Sequence, residues 1–188
     1  MSNKQPKKIG IMGSHSAGKS TLSFDIACRL KKLGLNVGVV QETVRYSPFP
    51  YNDKMQPETA LWAYHAQICK ELEYSTRGFD YIISDRTAAD TFIYAKYFDL
   101  FKSEPRLESC KRMAINWLST YDNIIFIRSN SNIVADGMRS TDQYFRDQVD
   151  SLFEDFVNLE YQNKAGNINS INTTDLIKKG IPHEWITI

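Results

Sequence analysis

The chain has 188 residues, 42% of them apolar, and its 23 lysines and arginines nearly cancel 22 aspartates and glutamates, giving a net charge of +1. That length supports one continuous core rather than two, and the balanced charge excludes a global attraction to nucleic acid or anionic membrane while leaving room for a local basic patch. Cys28, Cys69 and Cys110 are widely separated and form no C-x-x-C pair, which argues against a disulfide framework or zinc site and fits a reducing cytoplasm; no apolar run is long enough to span a bilayer.

The polar start, Met1 to Lys8, runs directly into a first strand predicted over Lys8–Met12. It is followed by Gly13-Ser14-His15-Ser16-Ala17-Gly18-Lys19-Ser20-Thr21, which meets the spacing G-x-x-x-x-G-K-S. Gly13 and Gly18 allow positive φ, so that successive amides turn inward and cradle a polyphosphate at the start of the following helix, where the dipole also favours an anion. Lys19 would reach the β- and γ-phosphates and the Ser20 hydroxyl would ligate Mg²⁺. His15 is read as an amide contributor, because side chains inside such a loop can vary.

A helix is expected from about Gly18 to Lys32, with Leu22, Ile26, Leu30 and Leu33 at helical spacing and Gly34 just beyond its end. Val37–Val40 is nearly all apolar, the composition of a strand covered on both faces. It ends in Glu42 and Arg45, at the edge where open α/β sheets bind ligands. The stretch from Tyr46 to Met55 reads as a loop. Beyond Pro57 a helix is predicted over Glu58–Thr76, with Leu61, Tyr64, Ile68 and Leu72 as its apolar positions. The third strand, Tyr81–Ser84, closes with Asp85-Arg86. Helices from Ala88 or Ala89 to about Phe101 and from Glu104 to Thr120 precede a fourth strand, Asn123–Ile127. A polar stretch from Arg128 to Thr141 leads into an amphipathic helix carrying Phe145, Val149, Leu152, Phe153, Phe156 and Leu159. The last strand is placed at Ile168–Ile171, ahead of Asn172-Thr173-Thr174-Asp175. Alternation of buried strands and helices implies one α/β domain over residues 1–188, with a five-stranded parallel sheet and helices on both faces.

Four groups of side chains carry the chemistry. Asp85 ends an apolar strand, where a carboxylate can contact Mg²⁺ directly or through water, and Arg86 beside it can stabilise phosphoryl charge. Glu42 can orient a hydroxyl or take its proton, and Arg45 can clamp an acceptor phosphate or pair with a surface carboxylate. The segment Asp136-Gly137-Met138-Arg139, with Arg146 beyond it, reads as a lid over residues of about 130–146, with Arg139 its leading cation and Arg146 balanced between the site and the helix surface. Asp136 and Asp142 are read as caps or ion-pair partners. The aromatics Tyr46, Phe49, Tyr51, Trp62 and Tyr64 offer a surface on which a flat acceptor could stack, most of them being core. Asn172 to Asp175 could touch a purine or simply cap a helix through Thr174 or Asp175.

On Gly13–Thr21, Glu42 to Arg45, Asp85-Arg86 and Asp136-Gly137-x-Arg139 with Arg146, the chain resembles the small P-loop kinases of the nucleoside and nucleotide kinase group, and within it the compact domains similar to ribosylnicotinamide kinase. The resemblance implies the three-layer α/β/α P-loop fold, sheet order 2-3-1-4-5, ATP and Mg²⁺ as cosubstrates, and an acceptor held between the second strand and the helices flanking the third. Asp85-Arg86 looks like the motif of thymidylate and deoxynucleoside kinases, and Glu42 matches their carboxylate after the second strand. The arginine-rich lid of those kinases is thinner here. Three functions follow: a kinase that phosphorylates a hydroxyl or phosphate of a nucleoside, nucleotide or related small molecule, a kinase for a hydroxymethylated base within DNA, and a nucleotide-switch ATPase with no acceptor. A homodimer is compatible with each.

Overall fold

A computed structural model describes residues 5–102, 104–130, 142–161 and 168–186. Within it β1 (Lys7–Met12), α1 (Lys19–Lys32), β2 (Val37–Val40), α2 (Pro57–Ser75), β3 (Tyr81–Asp85), α3 (Ala88–Tyr97), α4 (Glu104–Leu118), β4 (Asn123–Arg128), α5 (Gln143–Asp155), β5 (Ile168–Asn172) and α6 (Thr173–Lys179) follow in that order. The five strands pair in parallel in the order β2-β3-β1-β4-β5. Ile11 lies beside Asp85 and Met12 beside Phe126, so the ends of β1, β3 and β4 come out together at one edge.

Both faces of the sheet are covered, which is why the strands read as apolar runs rather than alternating ones. Leu22, Ile26 and Leu30 of α1 pack on Ile9, Ile11, Ile83, Ile125 and Ile127. On the other face Met12 and Phe126 meet Phe92 of α3, Leu118 of α4 and Val149 and Phe153 of α5. Among the described residues no helix is long and apolar enough to cross a membrane.

Three expectations need correction. α3 stops at Tyr97 rather than Phe101, because Asp99 and Lys102 adopt positive φ of 47° and 43°, which a helix does not accommodate. After α5 the chain widens into a π-type turn over Phe156–Tyr161, which buries Phe156, Val157 and Tyr161 and leaves Leu159 outward. Leu33, Leu61 and Leu72 are exposed as well.

The face that α2 turns inward is instead Thr59, Ala60, Ala63, Tyr64, Gln67 and Glu71. Glu71 is 1% exposed and accepts from Gln67 Nε2 (2.8 Å), the Tyr121 hydroxyl (2.5 Å) and the Trp117 indole (3.0 Å). Lys8 Nζ, 2.9 Å away, pairs with the same carboxylate and lies 4.5 Å from the centres of both the Trp117 and Tyr121 rings. A buried carboxylate is tolerable only when it is paired and fully hydrogen-bonded, and these donors meet that requirement.

Candidate active site

The phosphate loop leaves β1 at Gly13 and enters α1 at Lys19. Gly13 has φ of 146°, and a Cβ there would stand 2.5 Å from the Ile127 carbonyl oxygen, so no other residue fits. Gly13→Ala is therefore expected to cost several kcal/mol, as an overpacked position with disfavoured φ does, and to leave too little folded protein for a nucleotide titration. An unchanged urea midpoint would refute this. Gly18, φ 95°, makes the turn into α1.

Neighbouring elements brace the loop. The Ser14 hydroxyl donates to Asp150 of α5 at 2.8 Å, and Asp150 also accepts from the Ser129 amide beyond β4 at 3.1 Å. The Thr173 hydroxyl, at the start of α6, donates to the Ala17 carbonyl at 3.3 Å. The His15 amide donates to the Tyr94 hydroxyl at 3.0 Å, and His15 Nδ1 lies 3.1 Å from the same oxygen.

Lys19 is buried, and its ammonium donates to the carbonyls of Gly13 (2.8 Å) and Ser14 (2.6 Å). Burial first, and Arg86 second, lower its pKa to about 7, while Asp90, Glu42 and Asp85 pull the other way. Such a lysine is a cation lacking enough anion, a deficit that bound phosphates would fill. Asp85 is 4% exposed, and among the described residues its Oδ1 has no hydrogen-bond partner, as is also true of the Ser16 hydroxyl.

Gly18, Ser20, Thr21, Gln41, Glu42, Arg45 and Asp85 share one cleft. The loop, the undercharged lysine and the buried Asp85 oxygen fit a Mg²⁺-bound triphosphate, for which Ser20 and Asp85 would be the metal's protein contacts. Among the described residues no group of three or more His, Cys, Asp or Glu side chains is placed to hold a metal by itself. Phosphate oxygens would have to complete the coordination.

A second pocket opens on the far side of Glu42. Its lining joins Glu42, Arg45, Arg86 and Asp90 to the apolar Met55, Ala63, Tyr94 and Phe145. Arg86 Nε lies 2.5 Å from Glu42 Oε1 and its Nη1 lies 3.5 Å from Asp90, with the guanidinium carbon 5.3 Å from the centre of the Tyr94 ring. Arg45 Nε holds the other Glu42 oxygen at 2.8 Å. Burial works to raise the Glu42 pKa, but Arg86, Lys19 and Arg45 outweigh it and hold the carboxyl at about 2. For Asp90 burial wins and the pKa is raised, consistent with one more distant arginine in place of two close ones. Arg86 sits above its ordinary value: burial lowers it, and Glu42, Tyr94 and Asp90 more than offset that.

The structure thus brings Gly13 to Thr21, Glu42, Arg45, Asp85 and Arg86 to one edge. Asp136, Gly137 and Arg139, and with them most of the expected lid, lie outside the described residues. Arg146 is 2% exposed and pairs with Asp147 at 3.1 Å, so it is no surface cation. Asp142 caps α5 by accepting from the Phe145 amide. α6 is capped by Asn172, which accepts from the Asp175 amide, rather than by Thr174 or Asp175. Asn172 and Asp175 also line a separate cavity with Arg128, Asn130 and Glu154. Of the five aromatics beyond β2, Tyr51 lines the second pocket, Tyr64 is buried, Phe49 is half-buried, Tyr46 lines the cleft with Ser20 and Asp85, and Trp62 and Tyr46 face a groove beside Val39 and Tyr74.

The model of the family AAA_28, described as an AAA domain, matches residues 8–164, which takes in the phosphate loop, both acidic strand ends and the second pocket. The chain belongs to this family. Solved structures similar to this AAA_28 domain include thymidylate kinase from Ehrlichia chaffeensis, at 17% identity and a TM-score of 0.63 over 90% of this chain and 88% of that one. NadR in complex with NR aligns at 17% identity and a TM-score of 0.70; 99% of this chain is covered, spanning 53% of the NadR chain. Deoxyadenosine kinase from M. mycoides with bound dATP aligns at 20% identity and a TM-score of 0.57, over 93% and 95% of the two chains. No curated protein matches the sequence.

The AAA_28 domain holds three site residues that the sequence reading passed over: Asp90, Tyr94 and Gln67. Thr87-Ala88-Ala89-Asp90 is a capping-box pattern, and it was the available signal for a carboxylate one turn beyond Arg86. Gln67 donates to the Arg86 carbonyl at 3.2 Å and its Oε1 accepts from the Thr43 hydroxyl at 3.2 Å, so it ties the end of β3 to the end of β2. Arg86 needs such support, because its φ of 99° is strained for a residue with a side chain. Gln67→Leu is expected to destabilise the fold by about 1–3 kcal/mol, the cost of leaving buried polar partners unmade. It should also weaken acceptor use about tenfold or more while the affinity for MgATP is retained, read as separate KM and Kd values. Equal loss in both would make Gln67 a general packing residue.

Proposed function

We propose that the domain is an ATP- and Mg²⁺-dependent phosphotransferase that moves the γ-phosphoryl group to a hydroxyl of a nucleoside, nucleotide or related small molecule. One observation carries this reading: Glu42 and Arg45 line both the cleft containing Ser20 and Asp85 and the pocket containing Asp90 and Tyr94. A switch ATPase needs the first of these cavities alone. A kinase needs two that meet at the reacting atoms. The resemblance to thymidylate kinase, NadR and deoxyadenosine kinase supports the same reading.

In this proposal the loop amides and Lys19 hold the triphosphate, and Ser20 and Asp85 hold Mg²⁺, which when bound neutralises charge between the β- and γ-phosphates. Glu42, ionised at neutral pH, accepts the hydrogen bond of the acceptor hydroxyl and aims its oxygen at the γ-phosphorus. Its low pKa makes it a weak base, so the proton leaves late, as the new O–P bond forms and the bond to the ADP oxygen breaks. The products are the phosphate ester, ADP and one proton. Arg86 fixes the Glu42 carboxylate, and Arg139 is the cation assigned to close over the transferring group. The test is γ-labelled ATP with a panel of nucleosides, nucleotides and hydroxymethylated DNA. Label is expected in a small-molecule acceptor. ATP hydrolysis with no labelled acceptor of any class would favour the switch.

A further inference from the structure

The second pocket carries a charge pattern that narrows its occupant, and the narrowing rests on the kinase reading above. Two cations, Arg45 and Arg86, and two anions, Glu42 and Asp90, line it, so these four sum to zero. We infer that the pocket selects an uncharged, hydroxyl-bearing acceptor, a nucleoside in preference to its 5′-monophosphate, and that Asp90 is the residue that sets this preference.

Binding a phosphomonoester requires guanidinium edges that can turn toward it, since the strong arrangement is a bidentate fork. Arg86 is flanked by two carboxylates and an aromatic ring. Glu42 faces Nε, Asp90 faces Nη1 and the Tyr94 ring lies against the guanidinium, which is held in a side chain of 13% exposure. Arg45 is held on the second Glu42 oxygen. A dianion entering here would have to break an arginine away from Glu42 or come to rest beside two carboxylates, and like charges at short range in a poorly hydrated pocket repel strongly. Burial raises the Asp90 pKa, but Arg86 and the hydrogen bonds it accepts from the Thr87 amide and hydroxyl, at 2.9 and 3.0 Å, favour its anion.

A neutral acceptor meets no such conflict. Its hydroxyl can donate to Glu42 without displacing an arginine, and its ring can lie among Met55, Ala63, Tyr94 and Phe145. Asp90 thereby converts Arg86 from a phosphate clamp into the brace of the hydroxyl-orienting carboxylate. This reading gives the cluster a purpose that stability alone would not: a buried pair contributes little net stability, but removing one partner changes which charges the site tolerates.

The test pairs thymidine with thymidine 5′-monophosphate and deoxyadenosine with its 5′-monophosphate, each with MgATP and the full chain, reading ADP formation. The nucleosides are expected to show kcat/KM at least tenfold above their monophosphates. Asp90→Asn, which keeps the size and an oxygen for Thr87, is expected to shrink that ratio at least tenfold by releasing Arg86. Direct calorimetric binding of the same ligands to the wild-type chain supplies the comparison should the variant fold poorly. Monophosphates used or bound as well as nucleosides would overturn the inference and leave the kinase reading standing. ATP binding without phosphorylation of either member of any pair, and with no labelled acceptor in the wider panel, would remove both.

Discussion

Lys19→Met is expected to lower phosphoryl transfer by about 10²–10³-fold, the usual cost of removing one donor aimed at developing charge. It should also abolish an uptake of protons that accompanies nucleotide binding. Without nucleotide the Lys19 pKa lies at about 7, because burial disfavours the ammonium and Arg86 adds to that. Near pH 8 most molecules would therefore hold Lys19 neutral. Bound phosphates favour the charged form, so binding at that pH draws close to ~1 proton from the buffer, whereas near pH 5 the lysine is already charged and little is drawn. Calorimetric titration in buffers of different ionisation enthalpy measures this directly. Uptake that persists in Lys19→Met, or is absent from the wild type, would assign the proton to another group. The same depressed pKa has a sign for stability. Between about pH 7 and the ordinary lysine value of 10.5 the unfolded chain holds a proton that the folded chain has released, so stability rises with pH across that window. Lys19→Met should flatten that rise.

Glu42→Gln is expected to reduce transfer by about 10²–10⁴-fold, the range for a positioned acid or base, while MgATP still binds. Glutamine keeps the shape of the side chain and one oxygen. It loses the charge that holds Arg86 at 2.5 Å and Arg45 at 2.8 Å, so destabilisation of about 1–3 kcal/mol at pH 7 should accompany the kinetic defect. Because Glu42 titrates at about 2 in the fold and 4.5 outside it, its contribution is complete above pH 4.5 and disappears as the pH falls toward 2. Acid unfolding of Glu42→Gln should lack that part of the wild-type slope. A variant that transfers phosphate at the wild-type rate would remove Glu42 from the reaction, and with it the strongest reason to separate this domain from a simple ATPase.

The strands were legible because a sheet covered on both faces demands continuous apolar segments: Val37–Val40, Tyr81–Asp85 and Asn123–Arg128 are nearly devoid of alternation. The loop was legible because its backbone geometry restricts residue choice, most severely at Gly13. Asp85-Arg86 could be placed because it ends a strand whose apolar run is easily bounded. The extent of α2 was legible but its inward face was not: of the apolar positions Leu61, Tyr64, Ile68 and Leu72, Leu61 and Leu72 point outward, and the inner face carries Gln67 and Glu71 beside Tyr64. Periodicity measures hydrophobicity, so it has no signal for a helix docked through polar groups. The same limit hid Asp90 and the Tyr94–His15 contact, which exist only once α3 lies beside the phosphate loop.

The docking of α2 also bears on selectivity. An apolar helix face can slide or rotate by a fraction of a turn and find new contacts of similar value. Glu71 allows no such adjustment, since a shift of one residue would carry its carboxylate away from Tyr121, Trp117 and Lys8 together. α2 consequently has a single seat on the sheet, and Ala63, the part of it that faces the second pocket, is held in one place. The size of ligand that pocket admits is thus governed partly by Lys8, at the opposite end of β1 from the phosphate loop.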